Sequence, residues 1–142
     1  MAAAVSTLLG GQNVLRARPR TPLDWVALVR RGLSARAFDA LAAALRLSRT
    51  ELAAVTAIPE RTLARRIREG TLTTEESAKV LRVARVAARA AEVFEDLAAA
   101  IEWMKTPNKA LGGATPLSLV DTDVGAETVM DTLGRIEHGV YA

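Results

Sequence analysis

From Val80 onward, apolar residues recur at Val83, Ala87, Ala90, Phe94, Leu97, Ile101 and Met104, alternating steps of three and four. That spacing lines one face of an α-helix and excludes a strand, whose inward residues repeat at every second position. Upstream, Thr73 is followed by Glu75, Glu76 and Ser77. A capping threonine with acids in the first turn satisfies the exposed amides and suits the helix dipole, so the spacing predicts one long helix from there to about Met104. Such a helix needs other helices to cover its seam, either within the chain or from a second copy.

The rest of the chain supplies them. Thr21-Pro22 has the form of a cap with proline at the first helical position, and Gly32 provides a stop. Ser34 can cap a helix in which Ala37, Phe38, Leu41, Ala44 and Leu45 share a face. Two short helices follow within residues 50–56 and 60–68, closed by Gly70. Beyond the seam, Thr106-Pro107-Asn108, Leu111-Gly112-Gly113 and Thr115-Pro116 form a turn-rich stretch that interrupts helix. A brief helix through Leu119 and a last one over residues 122–137 complete the reading, the latter burying Ala126, Val129, Met130, Leu133 and Ile136. Half the residues are apolar but only 4% are aromatic, a composition suited to closely packed helices rather than a sheet. The fold class is all-α: an N-terminal helical bundle joined by a long helix to a small helical C-terminal unit. A chain of 142 residues can bury one respectable core, or two small helical units that lean on each other, but not several independent domains.

The charge is unevenly placed. Residues 1–90 hold 16 Lys/Arg and 7 Asp/Glu, a balance of +9, whereas residues 91–142 hold 3 and 9, a balance of −6. A polyanion partner suits the first half and a different partner the second, with chance segregation of solvated charge as the alternative. Arg16, Arg18 and Arg20 lie in an acid-free stretch of residues 1–20, which lacks the basic start and unbroken apolar core of a signal peptide and reads as a flexible arm. No apolar run approaches the ~18 residues that suggest a membrane span, and without cysteine the cytosol is the default location.

Residues 50–67 have the layout of a helix-turn-helix. Ala53 lets the second helix cross closely, Ala57 occupies the turn where glycine is frequent, and Leu52, Ile58, Leu63 and Ile67 face inward. Pro59 pre-sets the backbone at the start of the second helix. Its outward residues are Glu60, Arg61, Thr62, Arg65 and Arg66, with Thr50 on the helix before. Arginine can pair with guanine through two hydrogen bonds, so Arg61 and Arg65 are the expected base readers and Thr62 and Arg66 the phosphate contacts. Arg82, Arg85 and Arg89, at steps of three and four, extend the basic stripe if that face turns to the duplex. The plain alternative is a solvated arginine face on an ordinary helical bundle.

The second half offers an acidic surface, a loop shaped by proline and glycine, and a final helix with a short tail, the makings of a protein-docking unit. Trp103, Thr106-Pro107-Asn108, Leu111-Gly112-Gly113, Thr115-Pro116-Leu117, Asp121-Thr122 and the closing run from Arg135 to Ala142 together resemble the toxin-binding domain of Xre/MbcA/ParS antitoxins. Glu51-Leu52-Ala53 and Pro59-Glu60-Arg61-Thr62-Leu63 resemble the same family's helix-turn-helix, so the likeness spans roughly residues 30–142. The resemblance implies a RES-domain toxin that consumes NAD as partner, an antitoxin C-terminus that approaches or blocks the toxin's active site, and repression of the operon by the complex. It also places the toxin contacts among Trp103, Pro107, Gly112, Gly113, Thr115, Pro116, Arg135, Glu137, His138, Gly139, Val140, Tyr141 and Ala142. Each has a plainer role as well: Trp103 as a core anchor, the glycines as backbone hinges, Arg135 and Glu137 as solvated charges.

The expected organisation is an arm (residues 1–20), a DNA-binding region (21–76), and a connecting helix with toxin-binding domain (77–142). An inverted-repeat operator calls for a homodimer. Chemistry of its own is not expected: His138 is the single histidine, and no metal-ligand spacing or phosphate loop accompanies it. No cofactor is called for. The competing reading is a stand-alone helix-turn-helix regulator whose C-terminal half dimerises or binds another protein.

Overall fold

The computed structural model describes residues 2–139. The expectations placed on Val140, Tyr141 and Ala142 lie outside the described residues. The helices are α1 (Ala2–Leu8), α2 (Gly11–Leu15), α3 (Pro22–Arg31), α4 (Ala35–Ala44), α5 (Arg49–Thr56), α6 (Glu60–Glu69), α7 (Thr74–Phe94), α8 (Leu97–Met104), α9 (Pro116–Leu119) and α10 (Asp123–Glu137), with a 3-10 turn at Lys109–Leu111. Among the described residues there is no strand, only an isolated bridge between Ser34 and Thr71 that ties the α3–α4 junction to the α6–α7 junction. The all-α class stands.

Local chemistry sets the helix starts. Thr21, Ser48 and Thr73 each close a reciprocal capping box, with Asp24, Glu51 and Glu76 respectively. The α7 helix carries the core: Val80, Val83, Ala84, Ala87 and Ala90 are buried, and α1, α3, α5, α8 and α10 all pack on it. Its alanines leave room for backbones to approach from several sides, which is the structural use of the chain's alanine content.

Two expectations are corrected. The long helix does not reach Met104 unbroken; Glu95 adopts a left-handed conformation (φ 56°), and Asp96 restarts the chain by accepting the Ala99 amide at 3.1 Å. The acidic pair Glu95-Asp96 is therefore a stop and a new cap. It lets α8 lie alongside α7, so the seam residues Ile101 and Met104 still reach the core. Nor do the described residues of the first twenty form a flexible arm: Val5, Leu8, Leu9 and Leu15 are buried, and α1 packs on α7 and α4. Gly10, which interrupts the apolar run, makes the turn between α1 and α2 at φ +100°.

The C-terminal unit packs on α7 beside α1 and α3, with which α10 shares a groove. Ala126, Val129 and Leu133 of α10 are buried, and α9 bridges to α5 and α8. Gly125 permits the tightest approach, since a Cβ there would sit 1.8 Å from the Leu119 carbonyl oxygen.

Candidate functional site

The α5–turn–α6 unit is built as the residue pattern requires. Leu52, Ala53, Ile58 and Leu63 are buried and Ile67 is half-buried, so the opposite face of α6 is left to solvent. Ala57 closes α5 in the left-handed region (φ 56°, ψ 38°), where its amide reaches the Ala53 and Ala54 carbonyls. Lys79 of α7 donates to the Ala57 carbonyl at 3.3 Å, fastening the turn to the core helix. Pro59 then leads into α6 at φ −57°.

On the solvent face of α6, Arg61 and Arg65 are exposed and are in no ion pair among the described residues. Thr62 is half-buried beside them. Thr50 donates its hydroxyl proton to Glu60 at 2.7 Å, joining the starts of the two helices. Arg66 is already engaged within the chain, where its guanidinium donates to Glu76 at 2.7 Å and to Glu69 at 3.0 Å. Burial of Glu76 acts to raise its pKa, but the Arg66 hydrogen bond and the Thr73 amide outweigh it and hold the carboxyl below its ordinary value. Arg66 thus anchors α6 to the start of α7.

The basic stripe expected from Arg82, Arg85 and Arg89 does not form. Arg82 pairs with Asp123 and Arg89 with Glu92 and Glu137, the last at 2.6 Å, so both are directed to the C-terminal helix and not to a duplex. Helix spacing sets three arginines on one face, but that face is the one α10 covers. Arg85 remains exposed at the edge of a groove lined by Trp25, Val26, Leu81 and Met130. The pairs Arg82–Asp123 and Arg89–Glu137 occur in the same order along both helices, so α7 and α10 run broadly parallel.

In the C-terminal half, the turn-rich stretch is a closed loop organised by Asn108. Its amide donates to Ala114 at 3.0 Å, its carbonyl accepts from Gly113 at 2.9 Å, and its side chain caps the 3-10 turn through Ala110 at 2.8 Å. Gly112 and Gly113 have φ +68° and +86° and are exposed at the loop tip with Pro107. Thr115 accepts the Ser118 amide and Pro116 is buried, so this pair starts α9. Trp103 is half-buried against Phe94, ring centres 5.6 Å apart. At the end of α10, Arg135, His138 and Gly139 are exposed, while Glu137 is gripped by Arg89, whose hydrogen bonds hold its carboxyl below the ordinary value. The exposed members therefore form two groups, the loop tip at Pro107, Gly112 and Gly113 and the helix end at Arg135, His138 and Gly139.

Two family models match the chain side by side. Residues 24–85 match the antitoxin Xre-like helix-turn-helix domain, and residues 89–139 match the antitoxin Xre/MbcA/ParS C-terminal toxin-binding domain. An Antitoxin Xre of Yersinia enterocolitica is 39% identical over 116 residues, covering 80% of this chain and 78% of the relative. The chain belongs to the Xre antitoxin family. An Antitoxin Xre of Photorhabdus laumondii is 43% identical over 75 residues, 52% of this chain and 51% of that protein. A Prs ADP-ribosylating antitoxin of a Sphingobium strain is 24% identical over 132 residues, 86% of this chain and 83% of the relative. The two matched domains meet within α7, which serves both.

For this member of the Xre family, three supporting residues escape a reading by motif. Glu76 reads in the sequence only as an acid in a first turn, yet it is the anchor of Arg66. Asn108 reads as one residue of a turn, yet it closes the loop. Gly125 carries a visible signal, a glycine in the first turn of a helix, which marks a close backbone approach. Among the described residues no group of acids and histidine could hold a metal, and no helix is long and apolar enough to cross a membrane.

Proposed function

We propose that this Xre-family protein is a non-enzymatic cytosolic antitoxin that neutralises a RES-domain, NAD-consuming toxin by direct binding and, as a homodimer, binds its own operator to repress the operon. The observation that carries this reading is the union, on one helix, of a helix-turn-helix with a clear arginine face and a domain whose family is defined by toxin binding. DNA contact belongs to residues 21–76, with Arg61 and Arg65 reading bases and Thr50, Glu60 and Thr62 positioning α6. Toxin contact belongs to residues 77–142. The loop tip supplies Pro107, Gly112 and Gly113, and the chain end supplies Arg135, His138 and Gly139 with Val140, Tyr141 and Ala142. Trp103, Thr115, Pro116 and Glu137 shape that surface from beneath, since each already has an intramolecular partner or a buried place. A guanidinium at Arg135, brought near the toxin's NAD site, can pair with carboxylates or occupy space meant for phosphate.

The deciding experiment expresses the product of the neighbouring gene with and without this protein while growth and intracellular NAD are followed. Joint rescue of both supports the reading. Absence of toxicity, or no rescue by well-expressed protein, leaves a stand-alone regulator. Truncation of residues 139–142 then locates the inhibitory element: NAD loss should return while DNA binding by the free antitoxin is retained.

A further inference from the structure

A second cationic surface adjoins the recognition helix. A cleft of about 630 Å³ opens between the ends of α2, α3 and α6 and the start of α4. Arg16, Arg31 and Arg36 line it, and the acid in the lining, Asp39, is already held by Arg49 through hydrogen bonds of 2.8 and 2.9 Å. None of Arg16, Arg31 and Arg36 is in an ion pair among the described residues. Three like charges gathered around one concavity repel one another, and the arrangement suits a polyanion that can neutralise several of them together.

The folding of the N-terminal segment creates this cleft. Arg31 donates to the Leu15 carbonyl at 3.0 Å, tying the end of α3 to the end of α2. The chain then turns at Arg16 in the left-handed region, φ 54°, an unfavourable conformation for a residue with a Cβ. That turn sets Arg16 at the cleft instead of continuing α2 away from it. The far wall is Ile67, Gly70 and Thr71, the C-terminal end of the recognition helix and its exit. The cleft is therefore continuous with the end of the element that carries Arg61 and Arg65.

We propose that this cleft holds the DNA sugar-phosphate backbone beside the bases read by α6, with Arg16 and Arg36 as the phosphate contacts. The inference rests on the DNA-binding reading above and deepens it: the N-terminal segment is a folded part of the DNA-binding surface. Arg31 is a positioning residue, because its guanidinium is engaged with Leu15. Contacts of this kind carry no sequence information, so they stabilise operator and random DNA alike.

The test measures binding of the full-length protein to duplexes tiling the DNA upstream of its own gene, and to scrambled duplexes, across a salt series. Neither Arg16 nor Arg36 makes a side-chain hydrogen bond among the described residues, so Arg16→Ala with Arg36→Ala should leave the helical spectrum intact. Each lost phosphate contact removes about 0.9 from the slope of log K against log salt, so the double variant should lose about 1.8 units of slope per protomer and about 3.6 for the homodimer. Its affinity should fall by the same factor for operator and scrambled duplex, and the two lysine substitutions at these positions should restore the slope. Arg61→Ala serves as the contrast, reducing operator binding more than scrambled binding. An unchanged slope in the double alanine variant, with Arg61→Ala still defective, overturns the cleft assignment and leaves DNA binding standing. A defect that lysine does not restore also overturns it. If the unaltered protein binds neither duplex, the DNA-binding reading falls and the cleft assignment with it.

Discussion

Helix α10 contains two glycines, and the structure assigns them opposite effects. A Cβ at Gly125 would meet the Leu119 carbonyl oxygen at 1.8 Å and its carbon at 2.7 Å, whereas a Cβ at Gly134 meets nothing within 4 Å. Ordinary contact begins near 3.4 Å, so Gly125→Ala must move α9 and α10 apart by about 1.6 Å. The obstructing atoms are backbone and cannot rotate away. Overpacking of this kind costs ~3 kcal/mol, at the upper end of its usual range. Alanine's higher helix propensity returns ~1 kcal/mol, leaving a net loss of roughly 2 kcal/mol. For a chain of this size that lowers Tm by about 7 °C. Gly134→Ala keeps only the propensity gain and should raise Tm by ~2–4 °C. Thermal unfolding followed by far-ultraviolet circular dichroism separates the two outcomes. If Gly125→Ala is neutral or raises Tm, the close approach of α9 to α10 is wrong; a lower Tm for Gly134→Ala would instead contradict the open space at that position.

Three further outcomes follow from the geometry. Ala57→Gly should stabilise the protein by up to ~1 kcal/mol, because the left-handed turn at φ 56° penalises a Cβ; the urea midpoint checks it, and no increase would mean that the turn is not strained. Arg61→Ala or Arg65→Ala should each cost ~1–3 kcal/mol of operator affinity if either reads a base, and unchanged binding in both by anisotropy would remove α6 from the interface. Glu76 has its folded pKa below the ordinary 4.5, so it contributes stability above that value and loses it as pH falls through the depressed one. Urea midpoints at neutral and acid pH should therefore converge in Glu76→Gln relative to the unaltered protein, and an identical pH dependence in both would contradict the Arg66–Glu76 anchor.

The parts of the fold legible in the sequence are those fixed by short-range chemistry. Caps at Thr21, Ser34 and Thr73 and the inward set Leu52, Ile58 and Leu63 lie where local spacing puts them, because a cap needs only its own first turn and an amphipathic face only its own period. Pattern fails where periodicity continues through a break. Phe94, Leu97, Ile101 and Met104 keep the helical step across Glu95-Asp96, and a pattern of apolar residues does not register a single residue at positive φ. The first twenty residues mislead for the converse reason: Gly10 and Gly11 break one helix into two short ones, each too short to be recognised by period, and only tertiary burial of Val5, Leu8, Leu9 and Leu15 stabilises them. At the site, sequence locates the exposed arginines of α6 correctly as a face, but does not tell which arginines are already paired. That distinction depends on Glu76, Asp123 and Glu137, which lie 10, 41 and 48 residues from Arg66, Arg82 and Arg89.

This pairing changes what the charge asymmetry means. Part of the opposition between a basic first half and an acidic second half is consumed inside the molecule, where Arg82–Asp123 and Arg89–Glu137 join α7 to α10. Asp123 is 89% exposed and Glu137 37%, so salt screens both pairs and each contributes little, on the order of 0–1 kcal/mol. What holds α10 in place is the burial of Ala126, Val129 and Leu133, at roughly 1.5–3 kcal/mol for each of the larger two. The α10 docking should accordingly survive the salt concentrations at which DNA contacts dissociate. On the proposed DNA-binding reading, a salt series on DNA affinity then reports the arginines of α6 and of the cleft beside it, not a loosening of the C-terminal unit. If α10 did loosen in that range, Trp25, which lines a groove together with Ala126 and Met130 of α10, would register it as a salt-dependent change in fluorescence. A flat fluorescence signal across the binding transition separates the two functions of this chain physically: one face answers to ionic strength, the other to burial.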